Sequence, residues 1–307
     1  MSKVSICIPT YNNLEQVMHL IRSVNEQTYQ DIEIIITDDS TDLKIEKWVG
    51  EPETAEQYPC MKKCRYQHNK KPLGHIFNWN AALELAEGEF IKIMFSDDWF
   101  TYKDSLEKMV KLLEDRPETA LAFCGSMQVS ATDSYARCVT EEFIAEFTKD
   151  YRYLITGDEI GAPSAVIYRA CDCYFDERST FASDVFLFMR ILKKNSNFAY
   201  TTEPLISIGV HDNQYTCDFK EIDERKLTDY EILYREYRAW ENKACREFFV
   251  RQFVFPYKLG WKYAKSMKIS FMEYGKRAWQ ILCFNLTKGY PHALKKRLNR
   301  FGRKKEA

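Results

Sequence analysis

Two hydrophobic periods alternate along the first 130 residues. Val4 to Ile8 is a short apolar run closed by Pro9, and Ile32 to Ile36 is a second, ending in Thr37-Asp38-Asp39-Ser40. Runs of this length bounded by turn formers predict buried strands. Between them Leu14, Val17, Met18, Ile21 and Val24 recur at helical spacing. The alternation continues with a short helix to about Val49, a loop from Pro52 to Cys60 and a strand over Cys64–Gln67. Ile76, Trp79, Leu83 and Ala86 then form a helical stripe, and Phe90–Phe95 a strand that ends in Ser96-Asp97-Asp98. Leu106, Met109, Val110 and Leu113 mark a further helix, stopped before Pro117, and Ala120–Cys124 begins a fifth strand. Such an order predicts an α/β fold: a mostly parallel sheet with helices on both faces. Ligands of these sheets bind beyond the carboxyl ends of the strands, where both Asp-Asp pairs fall.

The pattern loosens from 131 to 215. Ser164 to Tyr168 reads as a strand, and Ser183 to Lys193 as a helix apolar nearly all round, hence buried. From about Glu221 the chain reads as helical. Three parts are expected: 1–130 to bind a nucleotide-type ligand, 131–215 to complete the same domain, and 216–307 as a helical extension.

Composition narrows the class. The chain has 307 residues, 45% hydrophobic, with 11 Gly and 9 Pro, which excludes a disordered or Gly/Pro-rich chain. No run approaches the length of a spanning helix, and the first residues do not resemble a secretory signal. Ten scattered cysteines then point to reduced thiols in a cytosol. Cys60, Cys64 and His68 are spaced by fours, but a fourth ligand for structural zinc is missing nearby. The net charge of −1 hides an asymmetry: residues 251–307 hold 15 Lys/Arg and two Asp/Glu. That split suggests a basic tail that meets something anionic.

Adjacent carboxylates repel, and a fold keeps such a pair where a cation offsets the repulsion. One or two carboxylates plus phosphate oxygens commonly hold Mg²⁺ or Mn²⁺. Asp97-Asp98 could do this, or could simply be a solvated turn. Asp38-Asp39-Ser40 could accept from a nucleobase or ribose, or could cap the next helix.

Taken together, the motifs are more specific. Ser5-Ile6-Cys7-Ile8-Pro9-Thr10-Tyr11-Asn12, Ser23 to Tyr29, and Glu33 to Asp42 closely resemble the start of the family 2 glycosyltransferases with a GT-A fold. Asn69, Gly74, Asn78, Asn80 and Ala86 to Ile91 resemble the family's next segment, and Ser96-Asp97-Asp98 stands at its Asp-x-Asp-type metal motif. The resemblance continues more weakly through Phe175-Asp176, Ser183-Asp184 with Leu187 and Arg190, and Glu203 to His211, covering about residues 3–214.

This resemblance implies an inverting transfer of sugar from a nucleotide-diphosphate sugar to an acceptor hydroxyl, in surface polysaccharide or glycolipid synthesis. It implies that Pro9, Thr10 and Tyr11 line the base pocket, Asp39 accepts from the base, and Asn80 belongs to the nucleotide-sugar contacts. Asp97 would face the ribose or the metal shell, Asp98 would ligate Mn²⁺ or Mg²⁺ with His211 as a further contact, and Asp184 would be the catalytic base. Inversion needs a base for the acceptor proton and a cation for the departing diphosphate. Two departures stand out. Many members carry an acid where this chain has Ser183, and an Arg where it has Gly209.

In the tail, Pro256 can open a helix, with Tyr257, Trp261, Ala264 and Met267 on one face beside Lys258, Lys262 and Lys265. Leu294, Leu298 and Phe301 make a second stripe beside Lys295, Lys296, Arg297 and Arg300. Basic amphipathic helices of this kind predict a peripheral enzyme on the inner face of the cell membrane; the same helices could instead pack on the domain. No nucleic-acid module is recognisable. The rival readings are a nucleotidyltransferase, which would carry a Gly-rich phosphate loop after the first strand, and a catalytically silent homologue acting as a membrane-associated partner.

Overall fold

A computed structural model describes residues 2–211 and 219–284. The first unit, 1–230, is built on a nine-stranded sheet. Its elements run β1 (Val4–Thr10), α1 (Leu14–Asn25), β2 (Ile32–Asp38), α2 (Lys44–Gly50), α3 (Pro52–Gln57), β3 (Cys64–His68), α4 (His75–Glu84), β4 (Phe90–Ile93) and β5 (Asp98–Phe100). They continue through α5 (Ser105–Glu114), β6 (Leu121–Val129), β7 (Ser134–Arg137), α6 (Glu141–Lys149), β8 (Val166–Arg169), α7 (Ser183–Lys194), β9 (Phe198–Gly209) and α8 (Glu224–Glu236).

The strands lie in the order β3-β2-β1-β4-β8-β6-β9-β5, with β7 on β6. From β3 to β4 every pairing is parallel; beyond β4 the sheet is mixed, β8 running antiparallel to β4 and β6, and β9 parallel to β6. Every residue of β1 and β2 is buried, because each strand has a neighbour on both edges and helices over both faces. The α1 stripe packs Val17, Leu20, Ile21 and Val24 into this core.

Three elements differ from expectation. The strand expected over Phe90–Phe95 stops at Ile93, and Asp98 opens β5, which runs antiparallel to β9. The loop expected at Pro52–Cys60 contains α3, which Pro52 begins from the first-turn position where its missing N–H costs nothing. Cys60 and Cys64 lead into β3 without gathering a metal shell: burial pushes both thiols up to about 12, and His68 faces Asp38 at 3.6 Å.

The second unit, 231–307, is helical where it is described: the rest of α8, α9 (Lys243–Phe249), α10 (Gly260–Ser266) and helical residues 271–284. Tyr234 packs on Phe249 with ring centroids 4.5 Å apart, and Arg246 pairs with Glu273 at 2.7 Å. The single helix expected from Pro256 is broken, because Lys258, Gly260 and Lys268 all adopt positive φ. Of that stripe Ala264 and Met267 are buried, while Trp261 is half-buried and packs on Phe271 and Tyr274. The second stripe, Leu294 to Phe301, lies outside the described residues.

Glu33 ties the parallel half together. Its carboxylate accepts from Ser5 Oγ at 2.5 Å and the Glu87 N–H at 2.8 Å, and pairs with Lys3 and Arg65 at 2.9 and 3.0 Å. Gly88 completes the join, since a Cβ there would sit 2.6 Å from the Ser5 nitrogen. Burial alone would raise the Glu33 carboxyl, but these partners outweigh it and hold it at about 2, below the ordinary 4.5. The stabilisation is therefore complete above the ordinary value and fades as pH falls from there toward 2. Glu33→Gln is expected to cost roughly 2 kcal/mol at neutral pH. Chemical denaturation across the acid range should show the gap between variant and wild type closing as pH falls.

Candidate active site

The carboxyl ends of β1, β2 and β4, the start of β5, the end of β9 and the first turn of α7 surround a cleft of about 620 Å³. Pro9, Thr10, Tyr11, Asp39, Asp97, Asp98, Asp184 and His211 all line it. Eight of the nine residues singled out from the sequence thus meet in one place, although Pro9 and His211 are two hundred residues apart.

Asn80 is the one that does not line this cleft. Its Nδ2 donates to the Phe175 carbonyl at 3.1 Å, and its Oδ1 accepts the Phe175 N–H at 2.8 Å. Both ends of the amide are occupied by backbone, and the residue lines a different cavity, of about 850 Å³. Asn78, two residues earlier and so on the opposite face of α4, lines the cleft instead. Its amide donates toward the Thr10 and Thr37 carbonyls and accepts from Asn69 at 3.0 Å.

Asp38 and Asp39 divide the work at the end of β2. Asp38 is internal: it accepts from Thr10 Oγ1, the Ser40 N–H and the Tyr66 hydroxyl at 3.0, 2.8 and 2.7 Å. Asp39 points into the cleft and accepts from Asn69 Nδ2 and the Gly74 N–H, each at 2.8 Å, and from the Leu73 N–H at 3.0 Å. A carboxylate offers about four acceptor directions, and because the Leu73 N–H reaches both oxygens at 3.0 Å, these three donors take up all four and fix its orientation. Gly74, at φ 89°, makes the turn that aims these N–H groups. Tyr11 stands 55% exposed at the rim, an open aromatic face.

Asp98 is buried and Asp97 is partly open. Burial and the neighbouring Asp97 push the Asp98 carboxyl well above the ordinary aspartate range, against hydrogen bonds from Ser164 and the Gly209 N–H and the charge of Lys92. Lys92 is itself buried, donates to the Ser164 carbonyl, and is lowered to about 7 by that burial. Asp97 Oδ2 meets His211 Nε2 at 3.2 Å. The Gly209 N–H donates to the Asp97 carbonyl, also at 3.2 Å, and a Cβ at Gly209 would run into that oxygen. This explains the departure at 209: the backbone beneath Asp97 leaves no space for an arginine. Among the described residues no group of three or more His, Cys, Asp or Glu side chains is placed to hold a metal alone. Two hard carboxylates side by side are a donor set suited to a divalent cation that takes its remaining ligands from elsewhere.

Asp184 is the second residue of α7 and takes the Val185 N–H at 2.8 Å. Its carboxyl is hydrogen-bonded to that of Asp158, a residue with no signal in the sequence pattern because it sits in the irregular stretch before β8. Two carboxyls in this contact favour keeping one proton between them. Burial first, then each other's charge, raises Asp158; burial raises Asp184. Arg137 opposes both shifts, donating to the Asp158 carbonyl at 2.6 Å. Ser183, the other departure, is buried with its Oγ 3.1 Å from that of Ser179.

Groups with raised folded values contribute stability below the ordinary aspartate value of 3.8 and lose it as pH rises through the folded values. Asp158→Asn removes the second carboxyl, so its thermal midpoint should gain on wild type as pH rises toward neutral. The gain is expected to be on the order of 1 kcal/mol for each unit by which the pair is raised. A gap that stays constant with pH would mean that no proton is shared.

Comparisons with known proteins show the family and the fold. The sequence model of glycosyl transferase family 2 matches residues 5–175. The abequosyltransferase RfbV of Salmonella typhimurium is 32% identical over 120 residues, 38% of this chain and 34% of that protein. The amylovoran biosynthesis glycosyltransferase AmsB of Erwinia amylovora is 23% identical over 66% of this chain and 67% of its own. The matches to several of these relatives span only about a fifth to a third of their length. Among solved structures, S. aureus TarS in complex with UDP-GlcNAc superposes with a TM-score of 0.63 at 19% identity, over 83% of this chain and 73% of that one, a likeness of fold.

Proposed function

Because the chain belongs to glycosyl transferase family 2, we propose that it is an inverting glycosyltransferase moving a sugar from a nucleotide-diphosphate sugar to an acceptor hydroxyl. The observation that carries this reading is the convergence of Asp39, the Asp97-Asp98 pair and Asp184 on one cleft at the carboxyl ends of the strands. Asp39 is the acceptor for an N–H of the base, with Tyr11 as a stacking face and Thr10 held beneath it. Asp97 faces the ribose. Asp98, with Asp97 and His211 beside it, would hold Mn²⁺ or Mg²⁺, which neutralises the charge of a departing diphosphate. Asp184 takes the proton of the acceptor hydroxyl as its oxygen attacks the anomeric carbon from the opposite face.

Three substitutions test these roles separately. Asp39→Ala should weaken UDP or GDP binding with or without Mn²⁺, since a site built around a hydrogen bond loses much without it. Asp98→Asn should lose only the metal-dependent part of that affinity. Asp184→Asn should abolish transfer while nucleotide affinity stays, because the loss is confined to the transition state. Calorimetry and a panel of nucleotide sugars measure all three. Wild-type transfer by Asp184→Asn would overturn the mechanism.

The acceptor is a growing surface polysaccharide or a lipid-linked sugar, which places the enzyme at the inner face of the cell membrane. No described helix is long and apolar enough to cross a membrane. Support for surface binding comes from the second unit, where Phe271, Met272 and Trp279 are exposed among exposed Lys262, Lys265, Lys268 and Lys276. Each basic residue near an anionic leaflet contributes about 1 kcal/mol, screened by salt. The protein should co-sediment with phosphatidylglycerol vesicles at low salt and release at high salt. Phe271→Ser with Trp279→Ser should weaken that binding, and equal sedimentation of variant and wild type would sink the membrane assignment.

A further inference from the structure

Residues 179–182 lead directly into α7, and their conformation sets where Asp184 stands. The helix gives them little help: its N-cap is Ala182, which has no side-chain acceptor. The acceptor comes from α8 instead. Asp229 is fully buried, and its carboxylate accepts from Ser179 Oγ at 2.9 Å and from the N–H groups of Thr180, Phe181 and Ala182 at 3.0, 2.7 and 2.9 Å. A buried carboxylate meeting three successive N–H groups and a hydroxyl is a stiff joint, because every donor it orients would otherwise be left unpaired. One turn earlier on α8, Lys226 Nζ lies 4.7 Å from the centre of the Phe181 ring. Phe181, Ser183 and Asp184 all line the cleft.

We propose that Asp229 is a positioning residue for the catalytic step: it locks the 179–182 turn and thereby holds Asp184 against Asp158 and toward the acceptor. The proposal rests on the assignment of Asp184 as base. It gives α8 a role in the reaction, although the helix opens the extension beyond the expected catalytic domain and lies outside the family match at 5–175. It also gives Ser183 a physical reason. Ser183 Oγ touches Ser179 Oγ, which in turn donates to Asp229. An acid at 183 would set a second carboxylate one hydroxyl away from the first.

The test compares full-length Asp229→Asn, the milder Ser179→Ala, Asp158→Asn and Asp184→Asn. The first readout needs no substrate: the infrared carbonyl band of the shared-proton carboxyl, identified by its loss in Asp158→Asn and Asp184→Asn. In Asp229→Asn that band should shift or vanish. Nucleotide-sugar turnover should fall on the order of tenfold or more, since small misplacements at a reacting centre are costly. Affinity for UDP with Mn²⁺ should stay at the wild-type value, with the thermal midpoint above the assay temperature. Ser179→Ala should fall between wild type and Asp229→Asn. An intact band with wild-type turnover in Asp229→Asn overturns the proposal, as does a loss of UDP affinity in parallel with turnover, which marks general unfolding. Normal transfer by Asp184→Asn overturns the base assignment instead, whatever Asp229→Asn does.

Discussion

Carboxylates removed from water are the constraint around which the first unit is arranged. Each loses hydration, and each needs donors, a cation or a proton in exchange. Glu33 is given charges and N–H groups, and the parallel strands are joined as a result. Asp39 receives the N–H groups of a glycine turn. Asp98 stands beside Asp97 with its carboxyl raised by burial, and Asp184 stands against Asp158 with its own raised by burial. Glu33 belongs to the scaffold, whereas Asp39, Asp98 and Asp184 line the cleft, and perturbed carboxyls gathered in a cleft mark a candidate functional site.

The parallel half was legible because its signals are local. A run such as Ile32–Ile36 can only be buried on both faces, and the α1 stripe marks its own helix. Elements that depend on distant partners were not legible. Asp98 begins a strand only because β9, more than a hundred residues later, pairs with it. Asn80 looked like Asn78 because both belong to one motif, and helical rotation alone sends its amide to Phe175. Asp158 and Asp229 occupy stretches where a single Asp carries no spacing to read.

The tail illustrates a different failure. Its lysines and aromatics suggested two amphipathic stripes, but three residues at positive φ fold the first back on itself. Ala264 and Met267 become a small core, and the exposed apolar positions move to Phe271, Met272 and Trp279. Periodicity finds a stripe only where the helix runs unbroken through it.

The pairing of β5 with β9 has a consequence for synthesis. As the chain leaves the ribosome, β1 to β4 can assemble and present Asp39 early. Asp97 has no strand behind it, and no His211 beside it, until the last residues of β9 have emerged. Nascent chains therefore pass through a long interval in which the Asp39 end of the cleft can be in place while the Asp97 end is not.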